Sequence, residues 1–191
     1  MTSQEVVFLE GKQVILRPMN RATDLEFCQR WINHPDVRHF LTQSLPITLE
    51  DEGKWFDSLI GNKSNITLGI VVKESGELIG VMSLIHIDWL NRTAVTGTWI
   101  GGQEHRGKGY GTDAKMILLA YAFLTLNLRK ICSGAIAFNG ASLRFNAKCG
   151  YKEEGVLKQQ VYKDGQYYDE FLTAVFKDDW LPLWEAYQSG D

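Results

Sequence analysis

The sequence predicts a mixed α/β (α+β) domain whose sheet is largely antiparallel, with one parallel step in its middle. Three observations predict it. Three strand-like runs, Ile66–Val72, Leu78–Asp88 and 94–100, follow one another through links short enough to require antiparallel pairing. A glycine-rich loop and an apolar helix then lead to a further strand-like run at 130–137, and a crossover of that length lets it lie parallel to 94–100. Finally, Lys163-Asp164-Gly165-Gln166 joins two more runs, and Asp-Gly is a strong hairpin signal.

Taken in order, Val14-Ile15-Leu16-Arg17 reads as a strand stopped by Pro18. Thr23 and Glu26 have capping-box spacing, so a helix is expected to begin there. It should bury Leu25, Cys28, Trp31 and Ile32 on one face and end before Pro35. Thr48 opens a second helix, with Glu50, Asp51 and Glu52 at its positive end. Trp55, Phe56, Leu59 and Ile60 form its apolar stripe, and Gly61 caps it. The helix over 112–126 is apolar on nearly all sides and is expected to be buried. A short helix over 142–149 ends at Gly150, and strands over 155–162 and 167–176 form the last hairpin. Pro182 should shorten or distort a final helix over 178–188. The expected organisation is one domain over 9–176 with a helical tail, 177–191, packed on it.

Composition narrows the function. At roughly 150 residues per domain, 191 residues make little more than one. An apolar share of 45% and a charged share of 23% are ordinary for a globular chain and exclude disorder. The longest apolar stretch, 116–126, falls short of the about 20 residues a membrane span needs. A net charge of -3 argues against binding a nucleic-acid backbone, though a small anion at one basic spot remains compatible. Met1-Thr2-Ser3-Gln4-Glu5 lacks a secretory leader pattern. Cys28, Cys132 and Cys149 are odd in number and lack metal-type spacing, which suits small buried hydrophobes in a reducing cytoplasm.

The stretch 101–111 is the most informative. Five glycines fall in it, between a strand and a helix start. Gly107, Gly109 and Gly111 let bare backbone approach a ligand, and successive N–H groups at a helix start favour a phosphate or diphosphate. His105, Arg106 and Lys108 add local positive charge. A P-loop fails because Gly109 stands where the hydroxyl residue belongs. A dinucleotide fingerprint fails because its last glycine is misplaced. The pattern R-x-x-G-x-G fits Arg106 to Gly111 at every fixed position.

With that motif the chain resembles the GNAT superfamily of acyl-CoA-dependent N-acetyltransferases. Asn139-Gly140-Ala141-Ser142 followed by Lys148-Cys149-Gly150-Tyr151 is a second match. Gly11-Lys12-x-Val14-x-Leu16-Arg17-Pro18 with Trp31-x-Asn33-x-Pro35-x-Val37 is a third. The likeness runs over most of the chain and points to the branch holding ribosomal-protein alanine, spermidine and amino-sugar acetyltransferases. The resemblance implies a GNAT-like sheet splayed at a central strand pair, with acetyl-CoA in the gap. It implies cofactor contacts at Ile100, Arg106, Gly107, Lys108, Gly109, Tyr110, Gly111, Thr112, Asn139 and Asn146. It implies direct transfer of an acetyl group to a primary amine (a small molecule or a peptide N-terminus), without a metal. A homodimer is compatible with it.

Two usual catalytic groups are missing from this pattern. The position of the family's acid Tyr is Asn146, and that of its strand Glu is Val95. Ser142 is the remaining candidate near the thiol. His86, one residue from Asp88 on the neighbouring strand, is a candidate base by its ordinary pKa near 6.5. Trp31, His34, Phe40 and Trp55 are expected to wall the acceptor side, with 38–46 as a mobile lip and Glu50, Asp51, Glu52 and Asp57 as carboxylates for a polycation. The competing readings are a non-catalytic acyl-CoA sensor on the same fold and a nucleoside-triphosphate enzyme using the near P-loop.

Overall fold

A computed structural model describes residues 6–190, so the leader reading of Met1 to Glu5 lies outside the described residues. Eight strands form one sheet in the order β1-β2-β3-β4-β5-β6-β8-β7. They are β1 (Leu9–Glu10), β2 (Val14–Pro18), β3 (Ile66–Val72), β4 (Leu78–Asp88), β5 (Thr93–Ile100), β6 (Lys130–Ile136), β7 (Lys152–Lys163) and β8 (Gln166–Phe176). Among the described residues only β5 and β6 pair in parallel, because α4 (Tyr110–Ala120) and a π turn (Tyr121–Thr125) carry the chain back between them. The apolar face of α4 packs under β2–β6 with Leu16, Ile70, Met82, Leu84 and Ile131 in the main core. No helix among the described residues is long and apolar enough to cross a membrane.

The opposite face carries α1 (Arg21–Asn33) and α3 (Leu49–Ser58), with Cys28 and Phe56 against Val81. Short α2 (Pro35–Arg38) follows α1, and α5 (Gly140–Lys148) leads from β6 to β7. The α1 start corrects the sequence reading. Asn20, not Thr23, is the N-cap, and its side chain accepts from Ala22 N–H. Thr23 instead donates to Asp24, which pairs with the Arg17 guanidinium at 2.7 Å. Thr48 does cap α3, in a reciprocal capping box with Asp51. Ile60 is exposed, since the helix ends at Ser58 and its stripe stops with it.

The last helix, α6 (Lys177–Ser189), runs uninterrupted through Pro182. Trp180 is fully buried and stacks on Trp184 at 5.3 Å, and Trp184 stacks on Tyr187 at 5.1 Å. Three buried or half-buried rings at i, i+4 and i+7 outweigh the lost hydrogen bond of one proline, on the order of 3 kcal/mol. Cys28 and Cys149 are buried and Cys132 is half-buried; all three are free thiols.

Candidate active site

The site begins where two strands part. β5 and β6 are paired only from Thr93↔Lys130 to Val95↔Cys132. Beyond Val95 they diverge, and the wedge opens toward the glycine loop. Gly101 N–H donates to Ile79 of β4 at 2.8 Å. Strand alternation then turns the peptide groups of Thr98 and Ile100 toward β6, beyond the end of the ladder, where no strand meets them. The Thr98 hydroxyl is a buried polar atom without a partner.

At the mouth of the wedge, α4 starts at Gly109, whose φ of +91° needs a glycine. No side chain caps that helix, so the first N–H groups of α4, at Tyr110, Gly111 and Thr112, point outward unclaimed by a cap. Gly107, at φ +75°, has open space where a Cβ would lie, and Lys108 is exposed beside it. Arg106 is turned the other way. Its guanidinium donates to the carbonyls of Asp36 (3.0 Å) and Ile100 (3.3 Å), tying α2 to the loop. Residues 107–112 thus make a cradle for an anion, and Arg106 braces it. A diphosphate with an amide-bearing arm fits these groups: N–H donors at the mouth, unpaired strand edge along the wall.

Two buried features were not legible in the sequence: one holds the start of α4, and the other lies apart from it at the apex of the wedge. The Asp113 carboxylate, in the first turn of α4, accepts the backbone N–H groups of Lys12, Gln13 and Val14 and the Tyr187 hydroxyl. At the apex of the wedge, Lys115 is 2% exposed. Its ammonium donates to Asn146 Oδ1 at 2.7 Å and lies 3.4 Å from Thr96 Oγ1. Asn146 Nδ2 donates in turn to Ser133 Oγ at 3.1 Å. Burial pulls the Lys115 pKa down to about 8.

The remaining sequence candidates separate into three groups. Asn139 and Ser142 start α5 on the β6 side of the wedge, and Asn139 Oδ1 accepts from Ser142 N–H. The Ser142 hydroxyl itself has no protein partner among the described residues, so it is not spent on a local cap. Phe40 lies 6.1 Å from Phe138, which also meets His39 and Tyr168 at 4.7 Å each. This aromatic group flanks Asn139 and includes Phe138 and Tyr168, which the sequence reading missed. Adjacency to Asn139 was the only signal for Phe138. Trp31 and His34 lie together instead at Gly101, where a Cβ would come within 2.5 Å of the indole. With Phe27, Glu77, Glu104 and His105, Trp31 lines a separate cavity of about 340 Å³. Trp55 packs edge-on against Phe56 as part of the α1–α3 core, so the four-residue wall is not one surface.

His86 is not at the site. β4 pairs with β5 so that Gly80 meets Ile100 and Asp88 meets Thr93, which puts His86 at the closed end, about 20 Å from the loop at ~3.3 Å per residue. A bulge between Ile85 and Asp88 gives His86 a φ of +53° and breaks the alternation assumed for it and Asp88. Asp88 accepts from Asn91 and closes the β4–β5 turn.

The carboxylates of α3 are also accounted for. Asp51 completes its cap, Glu50 pairs with Lys54 at 3.0 Å, and Asp57 pairs with Arg21 at 3.2 Å. Glu52 is buried, which pushes its pKa up to about 7. Another carboxylate lies near the wedge. Glu170 of β8 lies over Gly134, just beyond the point where β5 and β6 part, and a Cβ at Gly134 would sit 2.5 Å from its Oε1. The 38–46 lip is pinned, since Lys163 Nζ donates to the carbonyls of Arg38 and Gln43 at 3.1 and 3.2 Å.

Residues 13–152 match the family profile described as "Acetyltransferase (GNAT) domain". The chain belongs to the GNAT acetyltransferase family. It is similar to the spermidine N(1)-acetyltransferase of Vibrio cholerae, at 30% identity over 177 residues, covering 90% of this chain and 97% of that protein. It is also similar to the uncharacterized N-acetyltransferase YoaA of Bacillus subtilis, at 33% identity over 124 residues, covering 64% and 68%. Among solved structures, spermidine N-acetyltransferase from Vibrio cholerae in complex with CoA and spermine superposes with a TM-score of 0.82 at 25% identity. It covers 88% of this chain and 98% of that one. As a GNAT acetyltransferase the protein is an N-acetyltransferase, with the mixed, splayed sheet its family shares.

Proposed function

We propose that this GNAT enzyme transfers the acetyl group of acetyl-CoA to a primary amine by direct attack on the thioester. The observation that supports it most is the wedge itself: a β5 edge that no strand meets at Thr98 and Ile100 leads straight to an uncapped α4 N-terminus. In this reading the N–H groups of Tyr110, Gly111 and Thr112 and the Lys108 ammonium hold the diphosphate. The peptide groups of Thr98 and Ile100 pair with the arm's amides as a missing strand would, and Asn139 lines the same arm from β6. Acetyl-CoA supplies the activated acyl group.

The chain's own residues then do three things. The cradle and the strand edge hold the thioester near the wedge apex, which converts a bimolecular reaction into one between positioned groups. Glu170 binds the amine in its ammonium form and accepts the proton that must leave before nitrogen can attack. Ser142, whose hydroxyl is uncommitted, offers a hydrogen bond to the departing sulfur. Phe40, Phe138 and Tyr168 pack around the acceptor's carbon chain.

A polyamine heads the list of acceptors. The Vibrio cholerae relative is a spermidine N(1)-acetyltransferase, and the Glu170 carboxylate over Gly134 offers an ammonium a counter-charge beside the wedge. The test is thiol release from acetyl-CoA with a panel of spermidine, spermine, an amino sugar and a peptide with an N-terminal alanine. Turnover on one panel member above the no-amine background is the expected result. Tight CoA binding with no release on any of them overturns the transferase reading in favour of a sensor.

A further inference from the structure

The wedge apex holds a group that the proposed reaction has not yet used. Where the β5–β6 ladder stops, a side-chain chain takes its place. Thr96, the first residue past the last pair on β5, faces Lys115; Lys115 donates to Asn146; Asn146 donates to Ser133, the first residue past the pair on β6. Phe145 and Tyr151 lie under the ammonium at 4.2 and 4.9 Å from their ring centres. No carboxylate pairs with Lys115 among the described residues. Tyr151 and Cys149, the titratable groups packed on it, are both held neutral by burial, the thiol pushed up to about 11. A lone positive charge has therefore been placed in the centre of the fold, at considerable desolvation cost. A leucine or methionine would fill the space at none.

We propose that Lys115 is the buried cation that stabilises the sulfur leaving the thioester, acting from behind Asn146. This rests on the acetyl-CoA reading above. From Ile100 at the mouth to Thr96 at the apex is about 13 Å at ~3.3 Å per residue, a span that suits an extended pantetheine arm. An arm anchored by its diphosphate on α4 then ends over Lys115. When nitrogen attacks the carbonyl carbon, the C–S bond breaks and its electron pair stays on sulfur. Lys115 keeps its proton and supplies only the opposing charge. Asn146 lies between Lys115 and the wedge, and its amide cannot donate a proton at neutral pH. A fixed charge behind it does the same stabilising work without proton transfer. Burial lowers the pKa of Lys115, while the acceptor oxygens of Asn146 and Thr96 and the ring faces of Phe145 and Tyr151 favour the ammonium form.

The test needs no acceptor. CoA itself is bound, and ionisation of its thiol is followed by the ultraviolet absorbance of the thiolate as pH rises. In the natural protein the bound thiol is expected to ionise about 1 pH unit or more below free CoA, as a near opposite charge dictates. In Lys115→Met it should return to the value of free CoA while calorimetric CoA affinity stays within about threefold, since the diphosphate cradle is untouched. Lys115→Gln keeps a donor for Asn146 but loses the charge, and should behave like Lys115→Met. It also remains informative if the methionine variant fails to fold.

If the thiol shift persists in both variants, the proposal is overturned and the acetyl-CoA reading stands. If Lys115→Gln keeps the shift and only Lys115→Met loses it, Lys115 merely braces Asn146, and the proposal is again overturned. If the natural protein binds no CoA, both readings fall together.

Discussion

The hydroxyl of Tyr187, near the end of the last helix, donates to Asp113 Oδ1 at 2.5 Å, in the first turn of the helix that starts at the glycine loop. The same carboxylate collects three successive backbone N–H groups from residues 12–14. The first strands, the anion cradle and the C-terminal helix are thereby fastened at one residue. Replacing Tyr187 with Phe removes one charge-assisted bond and should cost about 1.5–3 kcal/mol. Asp113→Ala strands four donors and should cost more. Denaturant melts read both, and CoA affinity should weaken in Asp113→Ala because the start of α4 is no longer held.

Backbone at the cradle admits two sharper tests. Gly109→Val places a branched residue at φ +91° where α4 begins, against Gln13 Nε2 at 3.0 Å. CoA binding in calorimetry should disappear while far-ultraviolet dichroism shows the fold intact; unchanged affinity would remove the loop from the site. Gly101→Ala drives a methyl into the Trp31 ring. Its indole fluorescence should shift and stability should fall by about 1–3 kcal/mol, as for overpacking.

Acid and base roles can be separated by kinetics. Ser142→Ala is expected to lower kcat by roughly 10- to 1,000-fold with little change in KM for acetyl-CoA. Glu170→Gln should instead raise KM for the amine with little change in KM for acetyl-CoA, because the ammonium loses its counter-charge. An unaltered kcat in Ser142→Ala would return Ser142 to ordinary helix structure.

Glu52 predicts the sign of one pH effect on stability. Burial raises its folded pKa from 4.5 to about 7, so the folded state holds a proton that the unfolded state releases over that interval. Its contribution to stability is fully present below pH 4.5 and declines as pH rises through 7. Glu52→Gln should therefore leave stability at pH 4 nearly unchanged and raise it at pH 8, by on the order of 2 kcal/mol. Thermal melts at the two pH values decide it; equal effects at both would mean Glu52 is solvated.

Much of this architecture could be read before any coordinates. The bounds of β3 and β4, the Asp164-Gly165 hairpin and the parallel return of β6 are local matters. Each follows from residue alternation, turn chemistry at positive φ, or the length of a crossover. The glycine turn before α4 was equally visible, since Gly107 and Gly109 adopt the positive φ that glycine favours. Errors arose where a distant partner decided. Asn20 outcompeted Thr23 as a cap because Arg17 drew Asp24, and Thr23 with it, into a buried pair. A bulge displaced His86, and alternation cannot foresee bulges.

What the linear chain determined by itself was the order of its elements and the glycine-rich turn at 107–111 that opens α4. Only the tertiary structure decided which charges lie inside. Lys115, Asp113 and Glu52 look in the sequence like ordinary polar positions on helices. Desolvation and hydrogen-bond geometry depend on what packs from elsewhere. The carboxylate of Asp113 meets residues 12–14 and 187, and Lys115 meets 96 and 146. No periodicity within a helix encodes neighbours so far along the chain.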